Sequence, residues 1–185
     1  LGHLMASVDE LAPARKVVVV GDKADQLETY LAGSADLAVQ DPQLGTGHAV
    51  QQAEGALADF SGDVLILYGD VPFVPAATMR SMIERLNADD APAVVVLAFE
   101  PDDARQYGRV ITRGDHVIKM VEHKDATDAE RAVRLCNSGL MAAKAADLFF
   151  FGFSLPVYVL LILFWLPMMI IQFKAFDKGF TPYPK

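Results

Sequence analysis

The segment Gln40-Asp41-Pro42-Gln43-Leu44-Gly45-Thr46-Gly47-His48-Ala49 puts two amide side chains beside a threonine flanked by glycines. The glycines let backbone approach a ligand closely, and a helix opening there offers free N–H groups. Gln40 and Gln43 each carry a donor and an acceptor, which is what reading the edge of a base requires. A Gly-Thr-Gly loop is also an ordinary tight turn, so this segment alone does not decide for a ligand. His48 reads as a residue packed at the helix start, because no second His or Cys stands at ligand spacing. Further on, Leu67-Tyr68-Gly69-Asp70-Val71-Pro72 brings a carboxylate to the end of an apolar run. A carboxylate leaving the carboxyl end of a buried strand sits where a phosphate-bound Mg²⁺ would lie. Three later groups have polar or small residues suited to a sugar: Tyr107-Gly108-Arg109, Val121-Glu122-His123-Lys124-Asp125-Ala126 and Asn137-Ser138-Gly139. Glu122 can accept from hydroxyls, Asn137 can donate and accept, and Gly108 and Gly139 leave room for a ring. Taken singly, each is equally ordinary turn chemistry.

The elements that must position these residues alternate. The run Lys16-Val17-Val18-Val19-Val20 ends at Gly21 and predicts a strand buried on both faces. Residues 24–31 have helical spacing, 37–40 form a short strand, and 48–57 read as a helix. Residues 63–68 and 93–98 predict two more buried strands, with a helix over 78–86 between them. That helix lines up Met79, Met82, Ile83 and Leu86 on one face. Two more polar strands, 109–111 and 116–121, flank the turn Arg113-Gly114-Asp115. The order predicts an α/β fold with a mostly parallel sheet and ligands bound beyond the carboxyl ends of its strands.

Charge narrows the partners. The 185 residues carry a formal net charge of −8, and residues 1–147 hold 13 Lys and Arg against 23 Asp and Glu. Such an acidic unit lacks the basic face that nucleic-acid binding needs. The single cysteine, Cys136, excludes an internal disulfide and reads as a packed thiol in an apolar setting. The N-terminus has no signal-peptide pattern and no initiator Met. Composition changes at Leu148: residues 148–171 carry no charge, and eight of the eleven phenylalanines follow Asp147. That length predicts an apolar helix able to cross a bilayer, kinked at Pro156 and Pro167. The chain therefore divides into 1–147 and an apolar tail, 148–185, with membrane contact expected through 148–171. Lys174, Lys178 and Lys185 would then set the tail's end in the cytoplasm and residues 1–147 outside.

The motifs together, in this order and spacing, resemble the uridylyltransferase domain of bacterial bifunctional N-acetylglucosamine-1-phosphate uridylyltransferase / glucosamine-1-phosphate acetyltransferase. QLGTGHA, YGDVP, YGR, VEHKDAT and NSG carry the resemblance, which spans roughly residues 1–147. It implies a Rossmann-like nucleotidyltransferase fold that moves UMP from UTP to N-acetylglucosamine 1-phosphate, giving UDP-N-acetylglucosamine and pyrophosphate, with Mg²⁺ as cofactor. It implies that Gln40, Gly45 and Thr46 contact the uridine part, and that Tyr68, Gly69 and Asp70 line the nucleotide. Asp70 is the implied metal ligand and catalytic residue, and Gly108, Glu122 and Asn137 hold the sugar. It also implies a cytoplasmic enzyme that oligomerises through a domain absent from this sequence. The sequence departs from the family where the family opens with a strand and a glycine-rich loop that grips the triphosphate, and where a later asparagine completes the metal site. These departures predict little or no turnover by this chain and poor stability without a partner fragment. The other reading is a membrane-tethered, non-catalytic module that binds a nucleotide sugar.

Overall fold

The computed structural model describes residues 1–21 and 24–149, together with the backbone of 168–171. The chain opens with α1 (Gly2–Asp9), followed by β1 (Val17–Val20), α2 (Ala24–Leu31), β2 (Asp36–Val39) and α3 (Thr46–Gln52). A 3₁₀ turn at Gly55–Leu57 leads to β3 (Asp63–Ile66), α4 (Ala76–Leu86) and β4 (Val94–Phe99). Next come β5 (Arg109–Arg113), β6 (His116–Val121), α5 (Asp128–Arg131), β7 (Cys136–Lys144) and α6 (Ala145–Phe149). Strand β8 is Met168–Ile171.

Strands β1 and β2 pair in parallel as a two-stranded sheet. The six-stranded sheet has the order β3-β7-β4-β8-β6-β5. The sheet is mixed because β7 runs antiparallel between β3 and β4. Small residues make this possible: Ala142 and Ala143 of β7 are buried against β4 and leave room for the helix layer above. The predicted helix over 78–86 is α4, two residues longer at its start. Met79, Met82 and Leu86 are at most 1% exposed and pack with Leu4, Val74, Val95, Leu97 and Leu140 as the main core.

Two expectations change here. Strands β1 and β3 are only half-buried along most of their length, unlike β4, which is buried over Val94–Ala98. The reason is a cleft of about 1230 Å³ between the two sheets, lined by Val17, Val18 and Val19 on one side and by Val64, Leu65 and Ile66 on the other. Of the expected apolar helix over 148–171, Leu148 and Phe149 are helical, as the end of α6, and 168–171 are not. Met168–Ile171 is a strand, parallel to β4 and antiparallel to β6. An extended apolar tetrapeptide there satisfies backbone donors and acceptors of β4 that would otherwise lack partners. These four residues, assigned to membrane contact from composition, are sheet members. The rest of that helix, 150–167, and the three lysines after it lie outside the described residues. Among the described residues no helix is long and apolar enough to cross a membrane.

Candidate functional site

The cleft between the sheets is bordered at the strands' carboxyl ends by six residues of the first two motifs: Gln40, Gln43, Thr46, Tyr68, Gly69 and Asp70. The first motif follows β2. The Gln40 N–H donates to the Val20 carbonyl at 2.7 Å, which closes the end of the two-stranded sheet. Its side-chain amide turns inward: Nε2 donates to the Gly45 carbonyl at 2.8 Å and meets His48 Nδ1 at 3.1 Å. Gln52 Nε2 stands 3.1 Å from His48 Nε2 on the other side. A neutral imidazole has one acceptor and one donor, so two amide N–H groups cannot both donate to it. Gln52 Nε2 also donates to the His48 carbonyl at 3.2 Å, so only one of the two amide–imidazole contacts is a donor–acceptor pair, and the tautomer sets which. His48 is thus held by Gln40 and Gln52, in keeping with its reading as a packed residue at the helix start. Gly45 caps α3 with φ of +111°, a conformation in which a side chain would be strained. Thr46 begins that helix and is exposed to the cleft.

Strand β3 ends at Ile66, and the chain turns at once, with the Val71 N–H donating to the Tyr68 carbonyl at 3.1 Å. Asp70 is exposed in that turn, shortly after the carboxyl end of β3. Tyr68 is half-buried. Its ring edge occupies the space a side chain at Gly139 would fill, and Gly139 has φ of +83°. The YGD and NSG motifs, about 70 residues apart in sequence, therefore touch.

The third group assembles around a bulge. The β4–β7 register shifts between Val96 and Ala98, so β7 carries extra residues opposite Leu97. Ser138 replaces the lost ladder bonds: its hydroxyl donates to the Leu97 carbonyl at 2.6 Å and accepts from the Leu140 N–H at 3.2 Å. Asn137 is back in register opposite Ala98, with its Oδ1 accepting from the Gly139 N–H at 2.9 Å. The Asn137 N–H donates to the Gly108 carbonyl at 2.9 Å, and Glu122 Oε2 lies 3.5 Å from where a side chain at Gly108 would begin. Gly108, Glu122 and Asn137 are therefore brought together, across Tyr68 from the first two motifs.

Cys136, next to Asn137, is fully buried and its thiol donates to the Arg134 carbonyl at 3.3 Å. Burial pushes that thiol up, against the opposing pull of Arg109, so it stays protonated. It is a packed thiol, as its apolar surroundings predict. Sequence reading gave no role to Ser138, Arg109, Arg131 or the pair Thr127 and Glu130. The last had a legible signal: Thr-x-x-Glu before a short helix is a capping box, and α5 has one. The bulge and the contacts of the arginines had none. Among the described residues, no three of His, Cys, Asp and Glu come together as a metal cage. Asp70 is an exposed carboxylate in the turn after β3.

An α/β unit with a cleft between its sheets, edged at the strand ends by the loops after β2 and β3, is the frame of a nucleotidyltransferase. The family described as MobA-like NTP transferase domain matches residues 2–136, and the chain belongs to it. Within that family it is similar to the Bifunctional protein GlmU of Sphingopyxis alaskensis, 82% identical over 147 residues, covering 80% of this chain and 33% of that protein. The GlmU protein of Novosphingobium aromaticivorans is 69% identical over 149 residues, with the same two shares. The chain thus spans about a third of the length of the curated relatives it matches. Among solved structures, HddC from Yersinia pseudotuberculosis has a TM-score of 0.69 at 19% identity, covering 91% of this chain and 73% of that one. CMP:2-keto-3-deoxy-manno-octonic acid synthetase complexed with CTP has a TM-score of 0.65 at 14% identity, with shares of 91% and 78%. At these identities the likeness is one of fold.

Proposed function

We propose that this chain is the nucleotide- and sugar-binding part of an enzyme that transfers UMP from UTP to N-acetylglucosamine 1-phosphate, giving UDP-N-acetylglucosamine and pyrophosphate. The observation that carries the reading is the contact between Tyr68 and Gly139, which joins a cleft edged by Gln40, Thr46 and Asp70 to the cluster of Gly108, Glu122 and Asn137. A nucleoside diphosphate sugar has the matching shape: a base and phosphates on one side, a ring with hydroxyls on the other. The 82% identity to a GlmU protein supports the same substrates.

In this reading the uracil lies against the loop that Gln40 closes, with Gly45 and Thr46 at the uridine. Gln40 keeps its Oε1 for the ligand, while its Nε2 holds the loop in shape. Tyr68 and Gly69 line the nucleotide. Glu122 accepts from sugar hydroxyls, and Asn137 offers Nδ2, which has no partner among the described residues. A phosphate oxygen of the sugar phosphate attacks the α-phosphorus of UTP. The bond to the β-phosphate oxygen breaks and its electron pair leaves with pyrophosphate, with no covalent enzyme intermediate. The residues act by holding the two phosphates in line, which removes much of the entropic barrier. A divalent metal, Mg²⁺ in this proposal, would be held in part by Asp70 and would neutralise phosphate charge when bound.

Calorimetry with UTP, CTP and UDP-N-acetylglucosamine, with and without Mg²⁺, tests the reading. Uridine nucleotides are expected to bind in preference to CTP, and Mg²⁺ to tighten UTP. Asp70→Asn is expected to remove at least about tenfold of the metal-dependent gain. Equal affinity for CTP and UTP, or a metal effect that survives Asp70→Asn, would overturn it.

A further inference from the structure

Arg109 is the one buried charged residue in the described core, at 3% exposure, and its guanidinium faces main-chain carbonyls only. Nη1 donates to the carbonyls of Ala104 (3.3 Å) and Tyr107, Nη2 to that of Arg105 (3.2 Å), and Nε to that of Arg131 (3.3 Å). Burying a cation without a carboxylate is costly unless its donors are used, and here four carbonyls from two segments use them. The first segment is the loop that ends in Tyr107 and Gly108. The second is the end of α5. Arg131 carries the chain of contacts onward: its Nε donates to the His123 carbonyl at 3.2 Å, in the turn that begins at Glu122. The backbone of Arg109 also pairs with Val121 and Cys136, the neighbours of Glu122 and Asn137.

We infer that Arg109 is the positioning residue of the proposed sugar site, a single planar fork that fixes the spacing of Gly108, Glu122 and Asn137. It touches no substrate itself. The inference deepens the proposed function and rests on that reading for the identity of the sugar. Lysine cannot replace the fork, because one ammonium cannot reach four carbonyls spread around a plane.

The test uses the whole chain with Arg109→Lys and, as a milder change, Arg131→Met, which cuts the outer link to His123 and the exposed ion pair with Asp128. Two readouts are taken. The first is the ratio of affinities for UDP-N-acetylglucosamine and UDP, which isolates the sugar's share. Arg109→Lys is expected to lower that ratio by about tenfold, the value of a lost hydrogen-bond geometry, with UDP affinity unchanged. The second is amide hydrogen exchange. Arg109→Lys is expected to speed exchange in 104–108, 122–125 and 137–139 together and to leave β1, β2 and α4 unchanged. Arg131→Met is expected to speed exchange in 122–125 and in α5, and to leave 104–108 and 137–139 unchanged. The inference is overturned if Arg109→Lys weakens UDP and UDP-N-acetylglucosamine equally, or if exchange rises throughout the chain or in none of the three segments. If the unchanged chain gains nothing from the sugar, the proposed substrate is wrong, while the exchange pattern still decides whether Arg109 ties the three segments.

Discussion

Gly139 concentrates the demands of the site in one residue. Its φ of +83° is costly for any residue with a side chain, and the space beside it belongs to the Tyr68 ring. Gly139→Ala is expected to destabilise the chain by more than about 1 kcal/mol and to push Tyr68 into the nucleotide cleft. Gly114 separates the two effects, since it has φ of +60° but open space where a side chain would go. Gly114→Ala should lower stability without weakening UTP binding, whereas Gly139→Ala should lower both. Urea melts and calorimetry on the two variants check this, and equal UTP affinity in both would refute the role given to the Tyr68 contact.

At the scale of elements, α5 shows how a four-residue helix is kept in place. Thr127 and Glu130 form a reciprocal capping box, with Thr127 N–H donating to Glu130 Oε2 at 2.8 Å and Glu130 N–H to Thr127 Oγ1 at 3.3 Å. Lys119 of β6 donates to Glu130 Oε1 at 2.6 Å and ties the helix to the sheet. The Lys119 hydrogen bond, followed by the Thr127 bonds, lowers the Glu130 carboxyl from 4.5 to about 2. A carboxylate with a lowered folded value stabilises the fold above its unfolded value and loses that contribution as pH falls through the folded one. The α5 anchor is therefore expected to hold above about pH 4.5 and to loosen toward about pH 2. Amide shifts of Thr127 and Glu130 followed through an acid titration should move together in that window. A midpoint near the ordinary glutamate value would show that the box contributes nothing. Strand β7 teaches a different lesson about elements. Its first residues read as a loop because Asn-Ser-Gly has no strand propensity, yet Ser138 makes a bulge of them by supplying side-chain hydrogen bonds where the ladder fails.

Over the whole molecule, stability rests on the core beneath α4, not on the two-stranded sheet. Met82 is 0% exposed among Leu4, Val74, Val95, Leu97 and Leu140. Met82→Ala is expected to cost about 2–5 kcal/mol, read as a lower urea midpoint at unchanged slope. A loss well under about 1 kcal/mol would mean that the site collapses around the cavity or that the core is loosely packed. Asp63, Lys144 and Asn87 join β3, β7 and α4 at the edge of this core. Lys144 Nζ lies 2.6 Å from Asp63 and 2.5 Å from Asn87. Burial raises the Asp63 carboxyl, but the hydrogen bonds from Lys144 and Asn87 outweigh it and hold the group below its ordinary value. The elements themselves were largely legible: valine runs, the Met79–Met82–Leu86 face and the Arg-Gly-Asp turn are local patterns that act within about ten residues. The motifs were legible too, because QLGTGHA, YGDVP and VEHKDAT are contiguous and their chemistry travels with them. What only the tertiary structure decided was which distant segments meet. No local pattern joins Tyr68 to Gly139, runs β7 backward between β3 and β4, half-exposes β1 and β3 along a shared cleft, or sets Arg109 among four carbonyls. Those outcomes follow from burying backbone groups that must each find a partner, a condition imposed across the whole chain at once.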